Sequence, residues 1–367
     1  MNALYQDRLT RLRKRMAETE TDLVVIGPSS HLVWLAGLSP HGDERPVMMI
    51  VGLHHAGLLI PALNADSQRP LTQLPFYTWS DEDGPDAALA ALLGDAGMRN
   101  RPIKLALDET MRADFALLVL DALPGATRSF LQETVGFLRA RKDVKEYAAL
   151  KANALLNDGA MQAAFAALQP GVSELDVAGA VREFFKAQGA ATEFTSICFG
   201  ENGAFPHHHT GTRTLEPNEA VLIDIGGRSR GYPSDMTRVA VCGKAPTGFA
   251  AVHAVVERAV EAALAVVRPG VPARLVDQAA RDVITAAGYG KNFLHRTGHG
   301  LGIDLHEPPY ITATSQTLLE EGHVFSIEPG IYLPGRFGIR LEEIVIVRAD
   351  HAEILSELPR TPYRAST

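Results

Sequence analysis

Cysteine is scarce in this chain, and its scarcity limits both the kind of fold and the compartment. The 367 residues include two cysteines, Cys198 and Cys242, which are too few for a disulfide scaffold. Such thiols are typical of buried side chains in a reducing compartment. The sequence therefore predicts a cytoplasmic protein without structural disulfides.

Basic clusters and long apolar runs are also missing. The formal net charge is −8 and no basic run occurs, so nucleic acid is not an expected partner. No apolar stretch approaches membrane length, and the first 20 residues are too charged for a signal peptide. The 46% apolar and 21% charged content is ordinary for a globular protein, and 367 residues suggest two domains. We expect a cytoplasmic enzyme or binding protein that does not bind membranes.

The N-terminal third has an α/β pattern without an evident catalytic set. We predict helices at residues 5–18 and 86–93, and strand segments at 22–27, 31–37, 46–52, 56–61 and 104–107. The polar segment 39–45 lies between two of these strands. It is interpreted as a solvated turn, with a lid or partner-binding loop as the alternative. Residues 1–138 are therefore assigned to a regulatory or dimerising domain.

The domain boundary is expected at a polar hinge over residues 138–143. Arg139, Arg141 and Lys142 give this hinge its polarity. A long helix should follow at residues 145–168, with Asp143 as its N-cap. The second domain then covers residues 139–367.

The second domain contains an internal repeat. Residues 168–189 (LQPGVSELDVAGAVREFFKAQG) match residues 267–288 (VRPGVPARLVDQAARDVITAAG) at an offset of 99 without a gap. Both copies carry a Pro-Gly-Val turn between helices. The strand that follows also recurs, and it aligns Asp224 in LEPNEAVLIDIG with Glu328 in LEEGHVFSIEPG. The repeat predicts two similar halves, related by a pseudo-two-fold axis, with a site at their interface.

Four acidic residues occur in apolar strand segments of the two halves. Asp224 and Asp235 lie on strands that can pair around RSRGYPS, and Glu328 and Glu342 lie on strands around LPGRFG. An unpaired buried carboxylate is costly, so a single acid of this kind would be given a partner arginine. Four acids in a duplicated pattern, together with His299, indicate a metal site instead.

The donor set favours two divalent cations. Two such ions would neutralise four carboxylates, and oxygen-rich ligation with one imidazole suits Mn²⁺ or Co²⁺. Zn²⁺ is a further alternative. The imidazole belongs to His299 in HRTGHGLGIDLH, where glycines at 298, 300 and 302 permit tight turns and close approach to a ligand.

In motif order and spacing, residues 145–360 resemble the pita-bread dinuclear metallopeptidases, the family of methionine aminopeptidase, aminopeptidase P and prolidase. The resemblance is carried by Asp224, Asp235, TGHGLG, HEPP at 306–309, IEPG at 327–330 and RLEE at 340–343. The N-terminal third looks like the creatinase-type domain of the proline-specific branch. The implied fold is α/β (α+β), with a creatinase-like N-terminal domain followed by a pita-bread domain of duplicated halves.

The resemblance also implies metal-binding roles for five residues. Asp224 would chelate one ion, and Asp235 and Glu342 would bridge both ions. His299 and Glu328 would complete the second ion's site, and Glu328 would also carry a proton during catalysis. The implied cofactors are two divalent metal ions, with Mn²⁺ expected and Co²⁺ or Zn²⁺ as alternatives.

The same resemblance implies further site residues. His207 and His306 would contact the substrate carbonyl and the transition state. Arg340 would bind the substrate's C-terminal carboxylate or pair with a ligand carboxylate, and the sequence leaves these two roles equal. Tyr232 would lie near the metals, and Arg45 could reach a neighbouring subunit's site in a homodimer.

Neighbours of these residues are expected to lie apart from the chemistry. Side chains alternate along extended backbone, so His208 and His209 should not share a site with His207. For the same reason Glu343 should face away from the metals. His295 is interpreted as structural or peripheral.

The resemblance implies hydrolysis of an Xaa-Pro imide bond, with dipeptides as the expected substrates, as in prolidase. The alternative is aminopeptidase P, which accepts longer peptides; a cation that closes the cleft beyond proline would distinguish the two. A metal-dependent small-molecule hydrolase or lyase of the same fold is another class. A non-catalytic binding module typically loses ligands, and the sequence keeps all five.

Overall fold

The chain forms a mixed α/β structure of two compact units. The computed structural model describes residues 3–98 and 102–365, and its units are Met1–Arg139 and Ala140–Thr367. Within the described ranges, no helix has both the length and the apolar character needed to cross a bilayer. Both cysteines are buried free thiols.

The first unit is built on a six-stranded mixed sheet with strand order β4-β3-β2-β1-β5-β6. Its strands are β1 Leu23–Ile26, β2 Met48–Gly52, β3 Ala56–Pro61, β4 Phe76–Trp79, β5 Lys104–Leu107 and β6 Thr127–Phe130. Its helices are α1 Ala3–Glu18, α2 Ser30–Ala36, α3 Ala62–Gln68, α4 Asp86–Asp95, α5 Ala113–Ala122 and α6 Val135–Ala140, which reaches the boundary. The apolar strands β1, β2 and β3 are fully buried, and α4 and α5 pack on one side of them.

Residues 31–37 form a helix, so the predicted strand was wrong. Helix α2 ends at Gly37, whose φ of 69° is left-handed and whose N–H donates to the Val33 carbonyl at 2.9 Å. Most of the run is buried, and periodicity does not separate a buried helix from a buried strand in so short a segment. Segment 39–45 consequently joins a helix to a strand, not two strands.

Within the described residues, the second unit contains two five-stranded sheets, a two-stranded antiparallel β14–β15 sheet and two pairs of long helices. The first half has the sheet order β18-β10-β8-β7, and the second half β12-β11-β13-β16-β17. The helices are α7 Val144–Ala166, α8 Glu174–Ala187, α9 Phe249–Val266 and α10 Ala273–Ala286. The strands are β7 Ala191–Phe199, β8 Ala220–Ser229, β9 Tyr232–Pro233, β10 Met236–Cys242, β11 Gly298–Gly300, β12 Glu307–Ile311, β13 Val324–Ile327, β14 Gly330–Leu333, β15 Phe337–Arg340, β16 Glu343–Val347, β17 Ala352–Ile354 and β18 Tyr363–Ala365. Short 3-10 helices occur at Arg69–Leu71, Leu131–Glu133, Gly200–Ala204 and Gly290–Asn292.

The Pro-Gly-Val turns of the two halves share one backbone geometry. The Gly171 N–H donates to the Leu215 carbonyl, and the Gly270 N–H donates to the Leu319 carbonyl, each at 2.8 Å. The two glycines have φ values of 87° and 85°, a region that disfavours other residues. The predicted duplication is therefore confirmed in the backbone itself.

Segment 138–143 is not a solvated hinge. Helix α6 continues to its end inside this segment, and the side chains of Arg139 and Lys142 are buried, with 4% and 9% exposure. The Lys142 ammonium contacts the buried Glu307 carboxylate at 2.7 Å. The charges that suggested a polar linker thus serve as internal ion-pair and hydrogen-bond partners.

The predicted N-cap of helix α7 is confirmed. The Asp143 carboxylate accepts the N–H groups of Lys145 and Glu146 at 2.8 and 2.9 Å. The Glu146 carboxylate in turn accepts the Asp143 N–H at 3.0 Å. This reciprocal capping box fixes where the second unit's first long helix begins.

The four acids of the second unit do not all lie within strands. Asp224 is inside β8, which pairs with β10 as predicted. Asp235 immediately precedes β10, Glu328 immediately follows β13, and Glu342 immediately precedes β16. Three of the four acids therefore stand at strand ends.

The interruption of the second hairpin has a visible cause. Between the β13–β16 and β14–β15 ladders, the backbone bonds to other elements instead of across the hairpin. The Glu328 N–H donates to the Thr297 carbonyl at 2.8 Å, and the Glu342 N–H donates to the Thr237 carbonyl at 3.2 Å. Each acid is thereby tied to a strand segment that carries another candidate ligand.

Candidate metal centre

A cavity of about 520 Å³ lies in the second unit, where both halves contribute to its wall. Its lining residues are Phe194, Pro206, His207, Asp224, Asp235, His295, Arg296, His299, Leu305, His306, Glu328, Arg340 and Glu342. The cavity thus brings together all five predicted metal ligands, both predicted catalytic histidines and two arginines.

The four acids and two histidines form overlapping clusters. Ligand atoms of Asp224, Asp235 and Glu342 lie within 4.8 Å of one another. The same limit holds for His299, Glu328 and Glu342, and for a third group of Asp235, His299 and His306. Asp235, His299 and Glu342 each belong to two of the three groups, so the candidate ligands form one continuous cluster.

Three carboxyl groups of this cluster, those of Asp235, Glu328 and Glu342, resist ionisation. Burial first, and then the neighbouring carboxylates, raise the pKa values of Asp235 and Glu342 well above their ordinary range. Burial is also the main cause that raises the pKa of Glu328 to about 7, against the opposing charge of Arg340. Without a cation, the site therefore retains protons near neutral pH.

His299 presents an unprotonated nitrogen to these acids. Its Nδ1 lies 3.1 Å from the Gly300 carbonyl oxygen, which only a protonated Nδ1 can satisfy. Its Nε2 faces Glu328 Oε1 at 3.4 Å and Asp235 Oδ2 at 3.6 Å. Burial lowers the His299 pKa to about 3, so the ring is neutral at pH 7. A lone pair directed at two carboxyl groups is favourable with either a metal cation or a carboxyl proton between them.

Two buried oxygens give an independent test of fit for a metal. Asp224 Oδ1 and Glu342 Oε1 have no hydrogen-bond partner among the described residues. Buried polar atoms are nearly always satisfied, so each such oxygen needs an explanation. Carboxylate oxygens with one imidazole fit Mn²⁺, Co²⁺ or Zn²⁺. The residues therefore suit the divalent ions that the sequence predicts.

The other oxygens of the same carboxylates are held by protein donors. Arg340 donates to Asp224 Oδ2 at 2.7 Å and to the Thr237 hydroxyl at 2.9 Å. The Thr237 hydroxyl donates a hydrogen bond to Glu342 Oε2 at 2.8 Å. One oxygen of each carboxylate is thus fixed by hydrogen bonding and the other is directed away from these donors. Of the two roles left open for Arg340, this geometry favours pairing with a ligand carboxylate.

A buried tyrosine extends this network to His295. Arg340 also donates to the Tyr332 hydroxyl at 2.8 Å, and that hydroxyl lies 2.7 Å from His295 Nε2. His295 Nδ1 lies 2.7 Å from the Arg296 carbonyl, so Nδ1 carries the proton and Nε2 accepts from tyrosine. Burial lowers the His295 pKa to about 4. His295 is therefore structural, as expected, but it lines the cavity and is not peripheral.

The two predicted catalytic histidines are both exposed side chains at the cavity wall. The His306 ring centroid lies 3.8 Å from that of His299, and partial burial lowers the His306 pKa. His207 is an exposed side chain of the lining. Its neighbour His208 does not line the cavity, and its Nε2 lies 3.0 Å from Glu174 Oε2. His209 is exposed and is not among the described lining residues.

Three other residues are placed away from the cavity lining. Tyr232 donates to Glu146 at 3.2 Å and is not among the described lining residues, so its place near the metals stays a prediction. Glu343 pairs with Arg238 at 2.9 Å, in keeping with its expected direction. Arg45 lies in the first unit.

The Arg45 guanidinium forms ion pairs on the surface of the first unit. Its Nε donates to Asp81 at 2.9 Å, and a second nitrogen lies 3.1 Å from Glu44. Its reach into a neighbouring subunit stays a prediction.

A second cluster of metal-binding residue types lies in the first unit. His31, Asp108 and Glu109 bring ligand atoms within 4.8 Å of one another. The Asp108 carboxylate accepts from the Ser29 hydroxyl at 2.6 Å, and the Arg139 guanidinium lies 2.9 Å from His31 Nδ1. A guanidinium so close would repel a metal cation, so we assign this cluster a structural role.

Close packing explains the glycines around His299. Gly298 and Gly300 belong to strand β11 rather than to a tight turn. A Cβ at Gly298 would overlap the Ser326 carbonyl, and one at Gly300 would overlap the backbone of Glu307 and Pro308. The Ser326 hydroxyl accepts the His299 N–H at 2.9 Å, so this tight approach also orients the histidine.

Metal binding is expected to release protons at pH 7, on the order of one per protein, because the pKa values of Asp235, Glu328 and Glu342 are raised. The ionised carboxylates bind the metal, and the ionised fraction of these groups increases as the pH rises. The affinity for Mn²⁺ should therefore increase from pH 6 to pH 8. Calorimetric titration in two buffers of different ionisation enthalpy measures the release. A binding enthalpy that does not depend on the buffer would contradict it.

Family models match both units. Residues 148–349 match the metallopeptidase family M24, and residues 8–141 match the creatinase/prolidase N-terminal domain. The two matches together span most of the chain.

Similar proteins align over almost the whole length. A probable dipeptidase PepE of Mycobacterium tuberculosis is 36% identical over 363 residues, which cover 97% of this chain and 95% of the relative. A Xaa-Pro dipeptidase of Lactobacillus helveticus is 31% identical over 350 residues, covering 93% and 94%. The crystal structure of dipeptidase PepE from Mycobacterium ulcerans has a TM-score of 0.94 at 34% identity, covering 100% of this chain and 99% of that one.

Proposed function

We propose, since the chain belongs to metallopeptidase family M24 and carries a creatinase/prolidase N-terminal domain, that it hydrolyses the Xaa-Pro bond of dipeptides. The family resemblance and the peptidase class predicted from the motifs are confirmed. Divalent metal ions follow from the family as well. The specificity for proline, the number of metal ions and the length of the substrate are our proposal.

The observation that carries the proposal is that the five candidate metal ligands and the Arg296 guanidinium line one cavity. Two divalent ions would be held by Asp224, Asp235, His299, Glu328 and Glu342. When bound, these ions supply Lewis acidity that activates water and polarises the scissile carbonyl. The shared membership of Asp235 and Glu342 in two ligand groups supports two ions instead of one.

Glu328 is the group we assign to proton transfer. It belongs to a candidate ligand group with His299 and Glu342, so its carboxylate would lie beside the water that the metal ions activate. The Ser326 hydroxyl donates to Glu328 Oε1 at 3.0 Å and so fixes its orientation. Glu328 would take a proton from the attacking water and deliver it to the proline nitrogen, which has no N–H of its own and must be protonated as it leaves.

His207 and His306 are assigned to the substrate carbonyl and the transition state. Both line the cavity, one from each half of the second unit. A neutral imidazole can donate one hydrogen bond to an oxygen that gains negative charge, which stabilises the transition state. The His306 ring lies against that of His299, with centroids 3.8 Å apart, which keeps one such donor beside the candidate ligands.

Arg296 supports dipeptides as the substrates. Arg340 is directed to Asp224, Thr237 and Tyr332, whereas Arg296 lines the cavity with its guanidinium 4.7 Å from the centroid of the Tyr310 ring. A guanidinium binds a carboxylate in a bidentate manner. The free carboxylate directly after proline exists only in a dipeptide, so such a cation would favour dipeptides over longer chains.

Several further properties stay proposals. We expect Mn²⁺ as the metal, with Co²⁺ and Zn²⁺ as alternatives, and a homodimer in which Arg45 approaches the neighbouring subunit's site. A cytoplasmic location follows from the two free thiols. Aminopeptidase P activity and metal-dependent hydrolysis or lysis of a small molecule are the competing functions.

A matched substrate series tests the proposal. After chelation and addition of Mn²⁺, the protein should cleave Ala-Pro, whereas Ala-Pro-Ala and Ala-Ala should be cleaved at least about 100-fold more slowly, as expected for a carboxylate contact made or lost in a closed site. The measurement is kcat/KM for each peptide. Equal cleavage of Ala-Pro and Ala-Pro-Ala would indicate aminopeptidase P, and equal cleavage of Ala-Ala would remove the proline requirement. Metal binding without cleavage of any peptide would direct the search to small molecules.

A further inference from the structure

Glu174 is a buried acid that the metal site does not use. It is the first residue of helix α8, it is 0% exposed, and it is outside the cavity lining as described. Burial by itself would raise its pKa, but hydrogen bonds to its carboxylate hold the pKa below its ordinary value. An ionised carboxylate in such a place must be explained by the donors around it.

The donors to Glu174 bracket His207 in the sequence. Glu174 Oε1 accepts from the Phe199 N–H at 2.9 Å and from the Asn202 amide at 2.8 Å, both before His207. Glu174 Oε2 lies 3.0 Å from His208 Nε2 and accepts the Gly211 N–H at 2.9 Å, both after it. One carboxylate therefore holds the two arms of residues 199–211, the His207 loop.

The backbone of helix α8 reinforces this grip. The Glu174 N–H donates to the Arg213 carbonyl at 3.0 Å, and the Leu175 N–H donates to the Gly211 carbonyl at 3.1 Å. Within the loop itself, the described regular structure is the short 3-10 helix Gly200–Ala204. The loop is also tied to β7, because the Ser196 hydroxyl donates to the His208 carbonyl at 3.0 Å.

The second half uses a different acid for a comparable purpose. Asp277 on α10 is 0% exposed, and its Oδ1 accepts the Thr297 N–H at 3.1 Å and the Thr297 hydroxyl at 2.8 Å. This fixes the segment that leads to His299. At the repeat offset of 99, Asp277 corresponds to Ala178 and Glu174 to Ala273. The two halves thus hold their histidine segments with acids at unrelated positions.

We propose that Glu174 is a positioning residue for hydrolysis: its carboxylate clamps both arms of the His207 loop and so sets where His207 meets the substrate. The inference rests on the role proposed for His207. Glu174 touches no candidate metal ligand in the contacts described, so its effect should reach the reaction through the loop.

Glu174→Gln tests the clamp with almost no change of volume. The amide keeps one oxygen, so one pair of donors meets an NH₂ group in either orientation. We expect kcat/KM for Ala-Pro to fall by about 10- to 100-fold, mainly through kcat, because misplacement of a catalytic group by about 1 Å has effects of this size. Metal content should not change. Unchanged kcat/KM, or a loss of bound metal, would overturn the proposal.

A double-variant cycle separates positioning from general damage. In a His207→Ala background, Glu174→Gln should alter kcat/KM by less than about twofold, because the group it positions is gone. An equal fall in both backgrounds would overturn the proposal. Asp176→Asn is the matched control, since Asp176 caps the same helix through Ser173 and does not contact the loop in the bonds described. It should lower stability without the loss in kcat.

Two further measurements keep the test decisive. If Glu174→Gln does not fold, Asn202→Ala removes one upstream donor and should give a smaller fall in kcat/KM that His207→Ala also abolishes. Independently of activity, hydrogen exchange of the Phe199 and Gly211 amides should accelerate in Glu174→Gln, and unchanged exchange would exclude the clamp. This readout stands even if the unaltered protein cleaves none of the peptides.

Discussion

Asp235→Asn is expected to lose metal binding and at least about 1,000-fold in kcat/KM, because Asp235 belongs to two of the ligand groups. In the site proposed above, the Asp235 carboxylate would serve both ions, so its replacement by a neutral amide would weaken both positions together. The measurements are metal content after dialysis against Mn²⁺ and kcat/KM for Ala-Pro. Full metal content with normal activity in this variant would contradict the assignment of the site.

Stability separates loss of ligation from loss of fold in this variant. Burial and neighbouring carboxylates raise the Asp235 pKa, so its ionised form destabilises the metal-free protein, and this cost grows as the pH rises through the folded pKa. In chelator at pH 8, Asp235→Asn should therefore have a Tm equal to or above that of the unaltered protein. Glu343→Gln is the matched control, since it alters a buried acid that pairs with Arg238 and should leave metal content intact.

Glu328→Gln should separate metal binding from proton transfer. The amide oxygen can still face a cation, but the side chain can no longer accept or donate the travelling proton. We expect kcat for Ala-Pro to fall by about 100- to 10,000-fold, the range for loss of a general acid–base group. Metal content should stay closer to that of the unaltered protein than in Asp235→Asn.

The pH profile supplies the second readout for Glu328. If Glu328 carries the proton, the residual activity of Glu328→Gln should lose the part of the pH dependence that this carboxyl causes. A variant with full metal content and a kcat within a few fold of the original would remove Glu328 from proton transfer. A variant without metal would leave it only as a ligand.

Local patterns predicted much of the fold. Asp143, with Glu146 three residues on, specifies a helix start through short-range hydrogen bonds that are visible in the sequence. The repeated Pro-Gly-Val turn specified two similar halves, since Gly171 and Gly270 adopt the same left-handed conformation. Such features depend on neighbours within a few residues, so no tertiary information was needed.

The sequence predicted less of the candidate site where contacts between residues far apart in the chain determine the geometry. Thr237 and Tyr332 were missed, although Thr237 lies two residues after Asp235 and therefore on the same side of extended backbone. Their importance comes from Arg340, which is 103 residues from Thr237 and 8 from Tyr332 in the chain. The contact of the Tyr232 hydroxyl with Glu146, 86 residues away in the chain, was missed for the same reason.

The strand prediction at residues 31–37 was wrong for a different reason. A short run that is buried on nearly all sides has no polar face to reveal its period, and only the left-handed Gly37 shows where the helix ends. The ends of the strands near the acids were also not predictable from local patterns. The backbone N–H groups of Glu328 and Glu342 bond to threonines that are distant in the chain.

The hydrogen bonds between the two halves have a kinetic consequence. The Thr237 hydroxyl donates to Glu342 across 105 residues and Arg340 donates to Asp224 across 116, and neither half contains all five candidate ligands. Contacts of such sequence separation form late, because the chain entropy of closing long loops must be overcome first. A nascent chain would therefore acquire tight metal affinity only after both halves have docked. Metal capture would mark the completion of folding and would couple the two halves into one cooperative unit.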